Sequence, residues 1–185
     1  LASGGAASIG YTVFFLEPQI DPGLARVRDL LDYYGQRELG ELPALIDDEA
    51  AAERARERLS GLRERLARAA SELDTDRRLA EAVDHAGNVV LGMPFRLGAP
   101  VGKPDQALPP YVQDNIIGDV TAAGSANPRF IGLPAQSALA PIERVGGAAD
   151  AIGHLNFNPD IDGGVRSQPL VVDYFGEHYP ALSLM

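Results

Sequence analysis

The chain has 185 residues, a formal net charge of −10 and no cysteine, and 45% of its residues are hydrophobic. The lack of cysteine excludes disulfides, thiolate catalysis and cysteine-ligated zinc, and an acidic chain without a basic cluster is a poor binder of nucleic acid. This length fits one domain, or one domain with a helical insertion, and no apolar run reaches the 18 residues that a membrane-spanning helix needs.

The first predicted element is a strand in residues 6–16 (AASIGYTVFFL), an almost continuous apolar run. Such a run is typical of a strand that is buried on both faces of a parallel sheet. It ends at Glu17-Pro18, since proline cannot donate to a central ladder. The chain opens just before this strand, and residues 179–185 resemble the start of a helix, so we expect a domain excised from a longer polypeptide.

Helical signals fill the next part of the chain. Asp21-Pro22-Gly23 predicts a helix start, and Asp47 or Asp48 is expected to cap a long helix that runs to about Ser71 or Leu73. Apolar residues between Leu59 and Leu73 follow a spacing like that of a short coiled-coil seam. We interpret residues 24–73 as an inserted helical segment, which forms either an antiparallel hairpin on its own domain or a dimerisation arm.

A second strand follows this helical segment. Asp74-Thr75-Asp76 predicts a further helix that ends at Gly87, and residues 88–95 (NVVLGMPF) read as a buried strand. Strand, helices and strand in this order predict a right-handed crossover and a parallel core. Residues 96–126 form an irregular stretch rich in glycine and proline, and Gln136–Val145 is predicted to be helical.

Residues 153–174 (GHLNFNPDIDGGVRSQPLVVDY) are predicted to form a hairpin of strand, tight turn and strand. Asp-Gly between two alternating runs is a strong signal for such a turn, because glycine takes positive φ without a Cβ penalty. The predicted fold class is therefore α/β, with a mixed sheet, a parallel core flanked by helices, a C-terminal antiparallel hairpin and the inserted helical segment.

The hairpin also contains oxygen ligands at every second position, as a calcium-binding EF-hand loop does. Asn158, Asp160, Asp162 and Gly163 fit positions one, three, five and six, but the twelfth position is Pro169 instead of a bidentate glutamate. The calcium motif therefore fails. No zinc-type histidine pair, nucleophile elbow, phosphate loop or dinucleotide fingerprint is present either, so we expect no metal and no cofactor.

The candidate ligand-contacting residues are those near predicted strand ends: Tyr11, Glu17, Arg96 and His154. Ligands of open α/β sheets bind at the carboxyl ends of the strands, which is where Glu17 is expected. His154 is interpreted as a hydrogen-bonded strand histidine. It could also pair with Asp160 on one face of a strand as the acid–base pair of a hydrolase-like enzyme, which is an alternative function.

Four pieces of the sequence together resemble a CHASE2 domain. They are Gly5-Ala6-x-x-Ile9-Gly10-Tyr11-x-Val13-Phe14-Phe15-x-Glu17-Pro18; Asp76-x-x-Leu79-Ala80-x-Ala82 followed by Gly87-Asn88-Val89-Val90-Leu91; Gly153-His154-x-Asn156 followed by Asp160-x-Asp162-Gly163-x-Val165-Arg166-x-x-Pro169-Leu170; and Tyr179-Pro180-Ala181-Leu182-Ser183-Leu184. The resemblance covers most of the chain, which is interpreted as one domain over residues 1–185. It also implies a preceding strand and a Trp-Pro-x-Arg type segment that this sequence lacks, so we expect the domain to be incomplete at its N-terminus.

The resemblance implies an extracytoplasmic, periplasmic or extracellular, sensory domain without enzymatic activity of its own. In such bacterial proteins the domain is tethered to the membrane through flanking segments and precedes an adenylate or guanylate cyclase, a histidine kinase or a serine/threonine kinase. We expect an unknown small-molecule ligand and a homodimer, and a purely structural dimerisation module that uses the Leu59–Leu73 seam is a further alternative. No catalytic residues carry over, and we expect Asp160, Asp162 and Arg166, with Gly163 and Pro169, to fix the turn.

Overall fold

A computed structural model describes residues 4–19, 21–104, 107–118, 132–157 and 159–185. The chain divides into two compact units. One combines the described parts of residues 1–18 and 79–185, and the other spans residues 19–78. The predicted helical insertion, residues 24–73, lies inside the second unit.

The first unit contains two small sheets. Their strands are β1 (Ile9–Tyr11), β2 (Val89–Met93), β3 (Phe95–Leu97), β4 (Leu133–Ala138), β5 (Ala151–His154), β6 (Val171–Tyr174) and β7 (Glu177–Pro180). Strands β1, β2 and β5 form a parallel sheet in that order, and β3, β4, β6 and β7 form a mixed sheet in that order. The predicted α/β class with a parallel core is confirmed, and that core is strand β2, all five residues of which are buried.

The first strand is shorter and more exposed than predicted. Only Ile9–Tyr11 pair with β2, and the side chains of Tyr11, Val13 and Phe14 are 39%, 53% and 43% exposed. The prediction of a strand buried on both faces was wrong because β1 lies at the edge of its sheet, with β2 as its only strand partner among the described residues. An apolar run alone does not distinguish a central strand from an edge strand.

The C-terminal antiparallel hairpin is present, but one strand later than predicted. Strand β6 pairs with β7, not with β5, which belongs to the other sheet. Its two central turn residues, Phe175 and Gly176, have φ of 53° and 88°, and the Asp173 carboxylate accepts a hydrogen bond from the Gly176 N–H at 2.8 Å. Positive φ at both positions is the geometry that tight hairpins prefer, but phenylalanine rarely adopts it. The Phe-Gly pair therefore gives no turn signal in the sequence, and the prediction placed the turn at Asp-Gly instead.

The two sheets meet at Pro94, where the chain leaves β2 and enters β3. Across this junction the side-chain amide of Asn156 accepts a hydrogen bond from the Phe95 N–H at 2.9 Å and donates one to the Phe95 carbonyl at 2.6 Å. One side chain thus makes both bonds that a neighbouring strand would make. Gly153 lies at the same junction, and a Cβ there would come within 2.5 Å of the Leu182 Cα, so only glycine fits.

The core of this unit lies between the sheets and the helices that flank them. Helix α3 (Thr75–Ala86) packs Val83 beside Val89 and Leu91, and three aromatic rings, those of Phe95, Tyr174 and Tyr179, meet at centroid distances of 5.3–6.4 Å. Two short helices, α4 (Pro110–Gln113) and α5 (Glu143–Gly146), bury Val112 and Val145. Residues 136–138, predicted as helical, belong to β4 instead.

The second unit is a helical hairpin. Helices α1 (Pro22–Gln36) and α2 (Glu49–Leu73) are joined by a 3-10 helix (Leu39–Leu45), and the caps lie where the sequence predicts them, at Asp21 and Asp48. Arg28 of α1 donates to the Asp74 carboxylate at 2.7 Å, just beyond the end of α2. This pair ties the first half of α1 to the last residues of the hairpin, so the two helices run antiparallel.

Replacing Asn156 with alanine should destabilise the first unit by about 2–4 kcal/mol, since it leaves both backbone polar groups of Phe95 unpaired at the sheet junction. Urea denaturation followed by circular dichroism measures this change. The matched control is Gln113→Ala, which removes one exposed side-chain hydrogen bond, to the Leu108 carbonyl at 2.7 Å. If the two variants unfold at the same urea concentration, the Asn156 contact does not join the sheets.

Candidate functional site

The candidate site is a cleft of about 350 Å³ in the first unit. It is bounded by Leu16, by residues 107–109, by the end of β4 with the residues that follow it, and by Tyr174. Leu16 follows β1 and Leu139 follows β4, so the cleft lies beyond the carboxyl ends of two strands. Ligands of α/β proteins bind at this end of the strands.

Backbone hydrogen bonds fix the walls of this cleft. The Leu139 N–H donates to the Pro94 carbonyl at 3.1 Å, and the Ile142 N–H donates to the Phe15 carbonyl at 2.7 Å. These bonds connect the segments that follow β1, β2 and β4. The Tyr111 hydroxyl adds a bond to the Pro141 carbonyl at 2.6 Å. The cleft is therefore held open by main-chain contacts, which suits a binding site that exists before the ligand arrives.

The polar groups of the cleft come from Gln136, Ser137 and Tyr174. Ser137 is the cross-strand partner of Arg96 in the antiparallel pair of β3 and β4. Residues directly opposite in such a pair place their side chains on the same face, about 4.5–5.5 Å apart at Cβ. The exposed Arg96 side chain is thereby placed beside the Ser137 wall, and it makes no hydrogen bond or ion pair with any residue that the structure describes.

The other predicted ligand residues are distributed over three places. Glu17 is exposed and follows the cleft residue Leu16. Tyr11 instead lines a separate apolar groove of about 290 Å³ between β1 and α3, where its ring stacks on Phe15 at 5.6 Å. His154 is fully buried. Arg96 and Glu17 are thus each adjacent to a cleft residue, Ser137 and Leu16, but neither lines the cleft itself, and Tyr11 and His154 lie elsewhere.

His154 ends strand β5 inside the protein. Its Nδ1 accepts a hydrogen bond from the Asn156 N–H at 3.3 Å, which leaves the ring proton on Nε2. The Nε2 atom is buried, and among the described residues no acceptor, the nearby Leu170 carbonyl included, forms a hydrogen bond of standard geometry with it. Burial lowers the pKa of His154 to about 4, against a smaller opposing effect of the Leu170 carbonyl. The imidazole is thus neutral at physiological pH.

The Asp-Gly turn exists as a local loop in the long connection between β5 and β6. Arg166 donates to Asp160 Oδ2 at 2.7 Å and holds both carboxylate oxygens of Asp162, at 2.8 and 2.6 Å. This pairing lowers the pKa of Asp162 to about 2 and raises that of Arg166. Gly163 has a φ of 78°, and its N–H donates to the Asp160 carbonyl at 2.8 Å. These are the contacts that a turn-fixing role requires, and the role itself stays a prediction.

The same geometry bears on the metal and enzyme interpretations. Asn158 lies outside the described residues, Pro169 is partly buried in the connection that leads to β6, and no group of three or more potential metal ligands occurs in the described part of the chain. The proposed acid–base pair is not formed, because β5 ends at His154 while the Asp160 carboxylate is held by Arg166. The prediction that the two residues share one strand was wrong.

The cleft residues Gln136, Ser137 and Tyr174 were missed by the sequence reasoning. The sequence predicts a helix that includes Gln136 and Ser137, and a hairpin strand that ends at Tyr174. The cleft walls come from separate segments that lie together only after the two sheets have formed, so no local pattern identifies them. The one usable signal was the strand-end rule that selected Glu17 and Arg96.

Comparison with known proteins gives one match. A family profile described as "CHASE2 domain" matches residues 1–185, the whole chain. No curated protein and no solved structure matches the chain. Among the described residues, none of the helices has both the length and the apolar character that crossing a membrane requires.

The stability of the protein should fall as the pH drops from about 6.5 towards 4, the two pKa values of His154 in the unfolded and folded states. Between these pH values the unfolded chain binds a proton on His154 and the folded chain does not. The free energy of unfolding therefore falls by about 3 kcal/mol over the whole window. His154→Asn, which keeps an acceptor near the Nδ1 position, should remove this contribution. Urea unfolding at several pH values measures it, and His85→Asn on the exposed face of α3 is the control. If the free energy of unfolding of His154→Asn depends on pH as steeply as that of the wild type, His154 is not the group responsible.

Replacing Arg166 with alanine should loosen the turn at residues 160–164 without unfolding the domain, since the contacts are solvent-exposed. Hydrogen exchange at the Gly163 and Gly164 amides is expected to speed up at least several-fold, while the melting temperature stays nearly constant. Arg166→Lys keeps the charge but not the forked geometry, so an intermediate rate is expected. Unchanged exchange in the alanine variant would show that the turn forms without Arg166.

Proposed function

We propose that this chain, which belongs to the CHASE2 domain family, is the ligand-binding sensory module of a bacterial membrane-bound signal-transduction protein. CHASE2 domains are extracytoplasmic sensory domains of signalling proteins. The observation that supports ligand binding is the cleft at the strand ends, next to Arg96, which has no ion-pair partner among the described residues. We further propose the chemical class of its ligand, the way in which binding produces a signal, and its partners.

The ligand that fits this cleft is a small anion with an apolar part. Alanine, leucine and proline side chains make up much of the lining, Gln136 and Ser137 add neutral hydrogen-bonding groups, and Arg96 adds a positive charge. A guanidinium forms paired hydrogen bonds to carboxylate or phosphate, which neutral side chains cannot do. No carboxylate of the described residues forms an ion pair with Arg96, so its charge is available to an anion.

Binding can act as a signal because the cleft is built from several segments. Its walls follow strands of both sheets and include the segment at residues 107–109. A ligand shifts a protein between two states only if its affinity differs between them, and a ligand that contacts several segments gains affinity when they close around it. We propose that this closure is transmitted through flanking membrane segments to a cyclase or kinase output domain in a homodimer.

The two alternative functions have less support. The cleft lining contains neither a carboxylate nor a histidine among the described residues, so a hydrolase would need groups from elsewhere. In the helical unit, Leu59 and Leu66 of the α2 stripe are half-buried, whereas Leu62 is 47% exposed. The helical hairpin therefore already covers part of the seam that a dimerisation module would use.

A thermal-shift screen tests the ligand proposal. The probes are acetate, succinate, citrate, benzoate, inorganic phosphate and AMP. We expect at least one of them to raise the melting temperature, as any ligand that binds only the folded state does. Arg96→Gln should weaken its binding about 10-fold to 100-fold, the usual effect of losing a charged hydrogen bond. The control is Arg65→Gln, which removes an exposed arginine of α2 far along the sequence. A blank screen, or equal binding by both variants, contradicts the proposal.

A further inference from the structure

The helical unit contains a groove of its own, of about 470 Å³. It lies between the end of α1, the 3-10 helix and α2, and its walls include Glu38, Glu41, Arg56 and Arg63. This volume is in the range of small-molecule sites in proteins, about 300–1,000 Å³. All of these residues belong to residues 19–78, so the groove is complete within one compact unit.

The charges of this groove are separated by sign. The side that follows α1 carries two carboxylates, Glu38 and Glu41, whereas the α2 side carries two guanidinium groups. Arg56 and Arg63 are seven residues apart on α2, with Ser60 between them, which is the spacing of one helical face. Each side is thus uniform in charge, and the two sides are opposite.

The two sides do not neutralise each other. In the part of the chain that the structure describes, no ion pair joins either glutamate to either arginine. Arg56 is paired with Glu53 on its own helix, and Arg63 forms no ion pair with any carboxylate of the described residues. Flexible side chains of opposite charge normally approach each other, so charges held apart across a cavity leave both signs available to a ligand.

The end of α1 strengthens the negative side. A helix C-terminus carries partial negative charge, and the last turn of α1 contains no basic residue. The next residue, Arg37, lies over the exposed ring of Tyr33 at 5.7 Å, and neither residue lines the groove. A cation of the ligand is therefore favoured beside Glu38 and Glu41.

We infer that this groove binds a small zwitterion of the amino-acid class, a molecule with both a carboxylate and a protonated amine. The carboxylate pairs with Arg63, whose guanidinium can donate two parallel hydrogen bonds. The amine lies between Glu38 and Glu41 at the end of α1. This site is separate from the cleft beside Arg96, and it provides the helical unit with a ligand of its own.

Thermal shift and calorimetric titration test the inference. The probes are the common L-amino acids and 4-aminobutyrate at about 10 mM, with butyrate and butylamine as molecules of one charge only. In the Arg96→Gln background, in which binding at the cleft is weakened, at least one zwitterion is expected to raise the melting temperature by about 2 °C or more, whereas butyrate and butylamine do not. Titration of that zwitterion should then show one site with a dissociation constant below the probe concentration.

Paired variants assign the site. Arg63→Gln and Glu38→Gln should each weaken binding at least about 10-fold, as expected for the loss of a charged hydrogen bond. Arg65→Gln, on another face of the same helix, and Arg96→Gln, at the cleft, should leave it unchanged. These side chains are exposed, so we expect the substitutions to leave the fold intact, which circular dichroism checks. The inference is overturned if no zwitterion binds, if butylamine or butyrate binds equally well, or if binding survives in both groove variants.

Discussion

The structure of the first unit depends on how the chain passes from one sheet to the other. At Pro94 the buried strand β2 ends and β3 begins in a different sheet, which interrupts the ladder where backbone groups are still enclosed. Asn156 compensates by making both hydrogen bonds to Phe95 with one amide, and Gly153 permits the C-terminal segment to approach at van der Waals distance. Buried backbone groups need partners, so the junction depends on the Asn156 amide and on the absence of a Cβ at residue 153.

The junction explains what the residues of the Gly-His-x-Asn segment do in the fold. In the Gly-His-x-Asn segment, glycine provides the close approach, histidine fills the interior as a neutral ring, and asparagine joins the sheets. The following Asp-x-Asp-Gly segment makes a turn whose two carboxylates both bind Arg166. All of these contacts join residues of the same chain. In this chain the residues that carry the resemblance to the CHASE2 family therefore include those that build the domain.

A division between a frame and cleft walls suits a sensory domain. A frame of buried strands and side-chain joints keeps the cleft walls in place, and the walls themselves are formed by segments between the strands. Residues in these segments can change without disturbing the core, so one frame can accept different ligands. The helical unit adds a second surface with charges of both signs, which is a different chemical environment from the cleft beside Arg96.

Local features of the fold were predictable because they depend on neighbours in the sequence. The helix caps at Asp21 and Asp48, the end of α3 at Gly87 and the buried strand β2 each follow from a few adjacent side chains. The family resemblance was also visible, because the residues of the sheet junction and the turn form short, ordered motifs. The strand-end rule selected Arg96 and Glu17 as ligand contacts, and that selection stays a prediction.

What the tertiary structure alone decided is which segments become neighbours. The sequence paired β5 with β6 because Asp162-Gly163 is a favoured turn, but β5 finds its partner in β2, and β6 finds its partners in β4 and β7. Likewise, the exposure of β1 and the burial of His154 depend on what covers them. Local preferences are worth about 1 kcal/mol, whereas long-range burial is worth several times more, so packing chose the partners and thereby created the cleft.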